Sequence, residues 1–304
     1  MSKKAMSKAM SAELKPISDP PKHRPQRTAY GLCDHRRLNL PAPLARRGSR
    51  GEAGVRQGHG VDEAWDDSYD IRQLALGAAS EVCPREALAG QEVLFGSDFA
   101  DVIPLGGGRV ALALGDVCVT GLAAALCVPQ ILYALRRILR EPVPPACVLG
   151  RLNRSLCRSG LPAGCPSVAL SLLLVDVETG KTVCACAGSE PPLILRAGGG
   201  VEVVNPGRAP LGVNFGQTYQ TVDFLLGKGD ALLLATDGIT KARRANNEGG
   251  SESLDCEGLA GLALDAFVVG GLPGQIARTV LGGAKEFAGG IFHDDASVLV
   301  AIQQ

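Results

Sequence analysis

Between Ala169 and Val204 the sequence alternates short apolar runs with turns too short to hold another element. Ala169–Asp176, Thr182–Ala187, Leu193–Arg196 and Val201–Val204 read as strands. "DVETGKT" joins the first pair and "LRAGGGVEV" the second, both as glycine-bearing hairpin turns. Parallel neighbours would need a crossover of a dozen or more residues, so this sheet must be antiparallel. Further strands are expected at Val110–Asp116, Thr218–Leu226, Ala231–Ala235 and Ser297–Ile302, with "LLGKGDALLL" as another tight turn between strands. Helices are expected at Asp70–Ser80, Leu122–Arg140, Ala146–Cys157, Cys256–Val268 and Pro273–Phe287, the last with proline in its first turn. The long helices come in two pairs. Clustered strands with paired helices predict an α+β layered sandwich, not a doubly wound parallel sheet.

Composition divides the chain in two. Its formal net charge is zero, yet residues 1–60 carry 13 Lys+Arg against 4 Asp+Glu, leaving residues 61–304 at net −9. Stretches such as "KPISDPPKHRPQR" bury too little apolar surface to offset chain entropy. Residues 1–62 therefore read as a basic, disordered tail and 63–304 as the folded domain, with Trp65 a packing anchor at its start. A polyanion-binding arm, a targeting segment or an over-extended start are the other readings of the tail. Nucleic acid is otherwise not indicated. No charged-then-apolar leader opens the chain, and its apolar stretches fall short of the ~20 residues that cross a bilayer. Ten cysteines without C-x-x-C spacing fit small buried hydrophobes in a reduced, cytoplasmic protein. Cys184 and Cys186, two apart in a strand, should share a face.

The acids of the folded region gather at strand ends. "LFGSDFADVIPL" presents Asp98 and Asp101, "LGDVCVTG" Asp116, "LLLATDGIT" Asp237, and "FHDDASVLV" Asp294 and Asp295. One acid at a strand end is an ordinary turn residue. Several brought together repel unless a cation neutralises them. Oxygen ligands without His or Cys favour Mg²⁺ or Mn²⁺ over zinc. Two such ions can generate a nucleophile from water and clamp a displacement at phosphorus. The residues alone thus point to metal-assisted phosphate chemistry.

The order of these motifs resembles the PPM-type, protein phosphatase 2C-like family, in its bacterial stage II sporulation protein E-like branch. That family's "G-G-D-F-x-D" is similar to Gly96–Asp101, and "G-D-V-S-G-x-G-x-x-A-A" to Gly115–Ala125. "N-A-G-H-x-P-P" corresponds to Cys186–Pro192, and "P-L-G-V" is intact at Pro210–Val213. "G-D-x-L-L-L-x-T-D-G-x-T-E-A-R" matches Gly229–Arg243, and "H-D-D-x-T/S-x-L-V" matches His293–Val300. The resemblance implies two central antiparallel sheets flanked by helix pairs. It implies a bridging role between two Mn²⁺ or Mg²⁺ ions for Asp116, with the Val117 carbonyl on the second ion. Asp237 and Asp294 would hold the first ion, and Asp98 would be a ligand or an acid behind one. Asp116, Asp237 and Asp294 would then carry catalysis.

Four departures stand out: Ser97 for glycine, Cys118-Val119-Thr120 for Ser-Gly-x, Ser189 for histidine, and Lys241 for glutamate. The implied activity is that of a metal-dependent phosphoserine/phosphothreonine phosphatase using a metal-bound hydroxide. Its implied substrate is a phosphorylated regulatory protein, such as an anti-sigma-factor antagonist in partner switching. The alternative is a phosphatase fold that senses or scaffolds without turnover, motivated by the altered loop and Ser189. Cys118 is not expected to be a nucleophile, because no phosphate-cradling loop ending in arginine follows it.

Overall fold

The computed structural model describes residues 15–16, 73–83, 96–159, 167–207, 209–245 and 250–304. Trp65 and the basic tail, apart from Lys15–Pro16, lie outside the described residues.

One sheet has five antiparallel strands in the order β3-β4-β5-β6-β9. These are β3 (Asp98–Gly106), β4 (Arg109–Val117), β5 (Val168–Asp176), β6 (Lys181–Ala187) and β9 (Val222–Leu225). The other has six, in the order β1-β8-β7-β10-β13-β2. They are β1 (Lys15–Pro16), β8 (Val201–Val203), β7 (Leu193–Leu195), β10 (Ala231–Ala235), β13 (Ala296–Gln303) and β2 (Leu74–Glu81). All pairings in it are antiparallel except β1 with β8. The short hairpin β11 (Arg243–Ala245) with β12 (Ser251–Ser253) stands apart.

Period-two sorting of side chains builds the layers. Along β4, Ala111 and Ala113 face one core while Val110, Leu112 and Leu114 face another. Along β10, Leu233 and Ala235 face outward to helices while Leu232 and Leu234 turn inward. The inward sets meet in a core between the sheets, where Leu112, Leu173 and Ile194 are fully buried. The outward set of the five-stranded sheet is covered by α1 (Gly121–Ile138) and α2 (Pro145–Ser159). That of the six-stranded sheet is covered by α4 (Asp255–Val269) and α5 (Pro273–Phe287). The result is the expected α-β-β-α sandwich. Helix α1 is the one helix among the described residues long and apolar enough to match a bilayer span. It lays Ala124, Cys127, Val128, Ile131, Leu132, Leu135 and Ile138 into the core.

Three local expectations need correction. The helix expected at Asp70–Ser80 is instead strand β2, paired with β13 along all eight of its residues. Alanine and leucine favour a helix, but long-range pairing overrides that weak preference. Gly77 allows it: a Cβ there would lie 2.0 Å from the backbone nitrogen of Gly274, in the first turn of α5. Strand β3 was not expected at all, because two acids and Pro104 interrupt its pattern. It is an edge strand with a bulge between Pro104 and Gly106, where proline is tolerated. Finally, the turn in "LLGKGDALLL" joins no hairpin. It carries the chain from β9 in one sheet to β10 in the other.

Among the described cysteines Cys83, Cys127, Cys184 and Cys186 are buried as expected, whereas Cys147, Cys157 and Cys256 are half-buried and Cys118 is exposed. No disulfide joins the eight among the described residues, and the buried Cys184 and Cys186 thiols lie 3.8 Å apart on one face of β6.

Candidate functional site

The acids meet at one end of the sandwich because four strand termini converge there. Asp98 and Asp116 are direct cross-strand partners in the β3–β4 hairpin. Asp237 opens the one-turn helix α3 (Asp237–Thr240) just after β10, and Asp294 and Asp295 precede β13. Strands β10 and β13 pair in register up to Ala235 opposite Val298, which brings their acidic flanks side by side.

Two hydroxyl- and carboxylate-centred links tie the sheets together at this end. The Thr236 backbone N–H donates to the Ser297 carbonyl at 3.0 Å, and the Ser297 N–H donates to Thr236 Oγ1 at 2.9 Å. Thr236 Oγ1 in turn donates to Asp98 Oδ2 at 2.8 Å. Asp295 is the second link. It accepts the Cys83 N–H at 2.7 Å, the Ser97 N–H at 2.5 Å and the Ser97 hydroxyl at 2.8 Å. Thr236 and Ser297 carry no expected role in the sequence reading, and Asp295 appears there only as one of the strand-end acids. Their only further signal is position, within two residues of a strand-end acid.

Asp116 is different. Its Oδ1 is buried and has no hydrogen-bond partner among the described residues. Burial pushes its pKa up to about 7, the charges of Asp237, Asp294 and Asp295 add to the rise, and Ser97 opposes it. Burial and the facing Asp116 also hold Asp98 well above the usual carboxylate range, against hydrogen bonds from Ser297 and Thr236. Asp294 is raised by burial and then by Asp237. Such sites store repulsion that structure alone does not relieve.

Asp237 is half-exposed and pairs with Lys241, whose Nζ lies 2.6 Å from Oδ2. The Val117 carbonyl accepts the Val119 N–H at 2.7 Å. Among the described residues, no three His, Cys, Asp or Glu side chains form a preassembled metal cage. Thr236 holds one oxygen of Asp98 and Lys241 one oxygen of Asp237. The donor set still fits a hard divalent cation: it is all oxygen and contains a buried carboxylate oxygen without a partner.

The departures resolve individually. Ser97 does not crowd the site, since its hydroxyl serves Asp295. The lost loop glycine is not missed either. Cys118, Val119 and Thr120 avoid positive φ, and the loop's one left-handed residue is Gly121, which is retained at φ 59°. The exposed Cys118 thiol lies 3.0 Å from Ser167 Oγ. Ser189 Oγ shares a 2.8 Å hydrogen bond with Ser171 Oγ. His293 is exposed. Asn153, in the glycosylation-like "NRS", is buried on α2. It donates to the Asn214 carbonyl and accepts the Gly212 N–H, fastening the "PLGV" loop.

The fold has many solved counterparts. The RsbU and RsbW domains of a Mycobacterium tuberculosis protein align with 76% of this chain at 23% identity and a TM-score of 0.61. The PP2C phosphatase domain, with a regulatory fragment, of the cell fate determinant SpoIIE from Bacillus subtilis aligns with 76% at 21% identity and 0.60. This chain spans 60% and 63% of those two, less than two thirds of either. The PP2C domain of SiaA from Pseudomonas aeruginosa aligns over 75% of this chain and 85% of its own length, at 20% identity and 0.59. These likenesses establish a PP2C-type fold. Residues 106–303 match the family described as Stage II sporulation protein E (SpoIIE), which is well over half the chain, and the protein belongs to that family.

Proposed function

We propose that this protein is a divalent-metal-dependent phosphatase acting on phosphoserine or phosphothreonine in a regulatory protein. The observation that carries this reading is Asp116, a half-buried carboxylate whose buried Oδ1 has no partner among the described residues, set in an acid cluster. Its Oδ1 has no donor, and the like charges of Asp237, Asp294 and Asp295 surround it. A phosphate ester could not approach such a cluster unless cations offset it. Asp116 would hold two ions between β4 and the β10–β13 end, with the Val117 carbonyl beside it. Asp237 and Asp294 would hold one ion from the other sheet. Asp98, fixed by Thr236, would orient the first shell from behind or join it. When bound, Mn²⁺ or Mg²⁺ supplies an activated water and offsets charge on the phosphoryl oxygens. The relatives support this substrate class: SpoIIE from Bacillus subtilis is a cell fate determinant with a regulatory domain. A phosphorylated anti-sigma-factor antagonist fits that setting, in the cytoplasm.

A second reading, a phosphatase fold that binds without turnover, draws on Lys241 occupying Asp237 and on Ser189 in place of histidine. The test is hydrolysis of p-nitrophenyl phosphate and of a phosphoserine peptide, each in EDTA and in millimolar Mn²⁺. Mn²⁺-dependent turnover abolished by Asp116→Asn supports the phosphatase. Absence of turnover with intact Mn²⁺ binding favours the scaffold.

A further inference from the structure

Lys241 is in direct contact with the acid cluster through Asp237, and its placement is fixed. It follows α3, whose Gly238, Ile239 and Thr240 are buried, so the turn cannot drift. Its backbone N–H donates to the Asp237 carbonyl at 2.7 Å, while its Nζ reaches the same residue's Oδ2 at 2.6 Å. Four-residue spacing on a helical turn sets this geometry. The backbone is therefore anchored and only the end of the side chain is free to leave.

An ammonium group and a divalent cation cannot both occupy one carboxylate oxygen without repelling each other. An ion arriving at Asp237 must displace Nζ or bind against its charge, and either weakens binding. Before the ion arrives, the same ammonium offsets repulsion between Asp237 and its neighbours Asp294 and Asp116. We propose that Lys241 is a tethered competitor for the divalent cation at Asp237, a built-in counter-ion that steadies the metal-free cluster and lowers its metal affinity. The proposal rests on the metal-site reading above. It raises the free metal concentration at which the first ion's position fills.

The test needs no activity measurement. The full chain is stripped with EDTA, and Mn²⁺ binding is measured by calorimetry for wild type, Lys241→Met and Lys241→Arg. Thermal midpoints are recorded in EDTA and in Mn²⁺. Removing the charge should tighten Mn²⁺ binding about tenfold at low salt, with the gain shrinking as ionic strength rises. Lys241→Arg, which keeps the charge, should stay within about threefold of wild type. In EDTA the Met variant should melt below wild type, and in saturating Mn²⁺ its midpoint should rise further than that of wild type. Because Lys241 is largely exposed, with 59% of its side chain accessible, neither variant threatens folding. Equal or weaker Mn²⁺ binding by Lys241→Met, with wild type binding normally, would overturn the competitor role alone. No Mn²⁺ binding by any of the three would overturn the metal-site reading with it.

Discussion

The two ends of the sandwich carry acids of opposite character on the same strands. Asp230 stands just before β10, and Asp237 just after it. Asp230 is partly buried, yet the Ala197 and Gly227 N–H groups and the Arg196 guanidinium hold it below its ordinary pKa. Arg196 also pairs with Glu202, so this corner is saturated. Asp176, at the same end of β5, is likewise held low by Thr179 and Glu178 N–H groups. At the other end Asp98, Asp116 and Asp294 are all raised. At the first end donors to the charged form outweigh burial; at the other, burial and like charges outweigh the donors present. At that end Asp295 accepts three hydrogen bonds and reads as the clamp that positions the rest.

The comparison breaks most visibly in rate. Asp237→Asn and Asp294→Asn should each lower phosphatase turnover by at least about two orders of magnitude, comparable to losing one charge-stabilising group elsewhere. Metal-free stability should hold or rise, as chemical denaturation in EDTA will show. At the saturated end the pattern should invert. Asp230→Ala removes one of the two carboxylates on Arg196 and unpairs two backbone N–H groups, and should cost about 2–3 kcal/mol in urea unfolding while leaving turnover per folded molecule unchanged.

Titration sharpens the contrast further. Carboxyls with raised native pKa bind protons more tightly in the folded state than unfolded. In EDTA the fold should therefore lose stability as pH rises from about 4 to about 7, the window between the ordinary Asp value and that of Asp116. The lowered Asp230 and Asp176 act in the opposite sense, and their contribution fades as pH falls below the ordinary carboxylate range. Thermal scans in EDTA across this window should show the decline, and saturating Mn²⁺ should remove it. The smallest effect belongs to the tail. Among the described residues, a chain starting at Asp62 loses the two-residue pairing of β1 with β8, and its midpoint should move by no more than about 2–4 °C.

Much of this was legible from sequence. Hairpin turns and paired helices gave the layers, and the strand-end position of Asp98, Asp116, Asp237 and Asp294 gave the cluster. What stayed hidden depended on distant contacts. Nothing local in "LALGAASE" announces that it pairs with β13 under the first turn of α5. Nor does "GKGD" reveal that its turn changes sheets, because a tight turn and a sheet-to-sheet crossover look alike in one dimension. Lys241 was visible as a departure from the glutamate of the family pattern, but its grip on Asp237 appears only once the turn is built. Thr236, Ser297 and Asp295 were hidden for the same reason: their bonds reach across 61 to 212 residues of chain.

The central claim is that Asp116 is kept unpartnered for cations, and paired thermal melts of wild type and Asp116→Asn test it most directly. Each protein is melted in EDTA and in millimolar Mn²⁺. Wild type should gain stability with Mn²⁺, whereas Asp116→Asn should match or exceed wild type in EDTA and gain little from the metal. A wild type indifferent to Mn²⁺, together with an Asp116→Asn variant strongly destabilised in EDTA, would show that Asp116 is a structural acid.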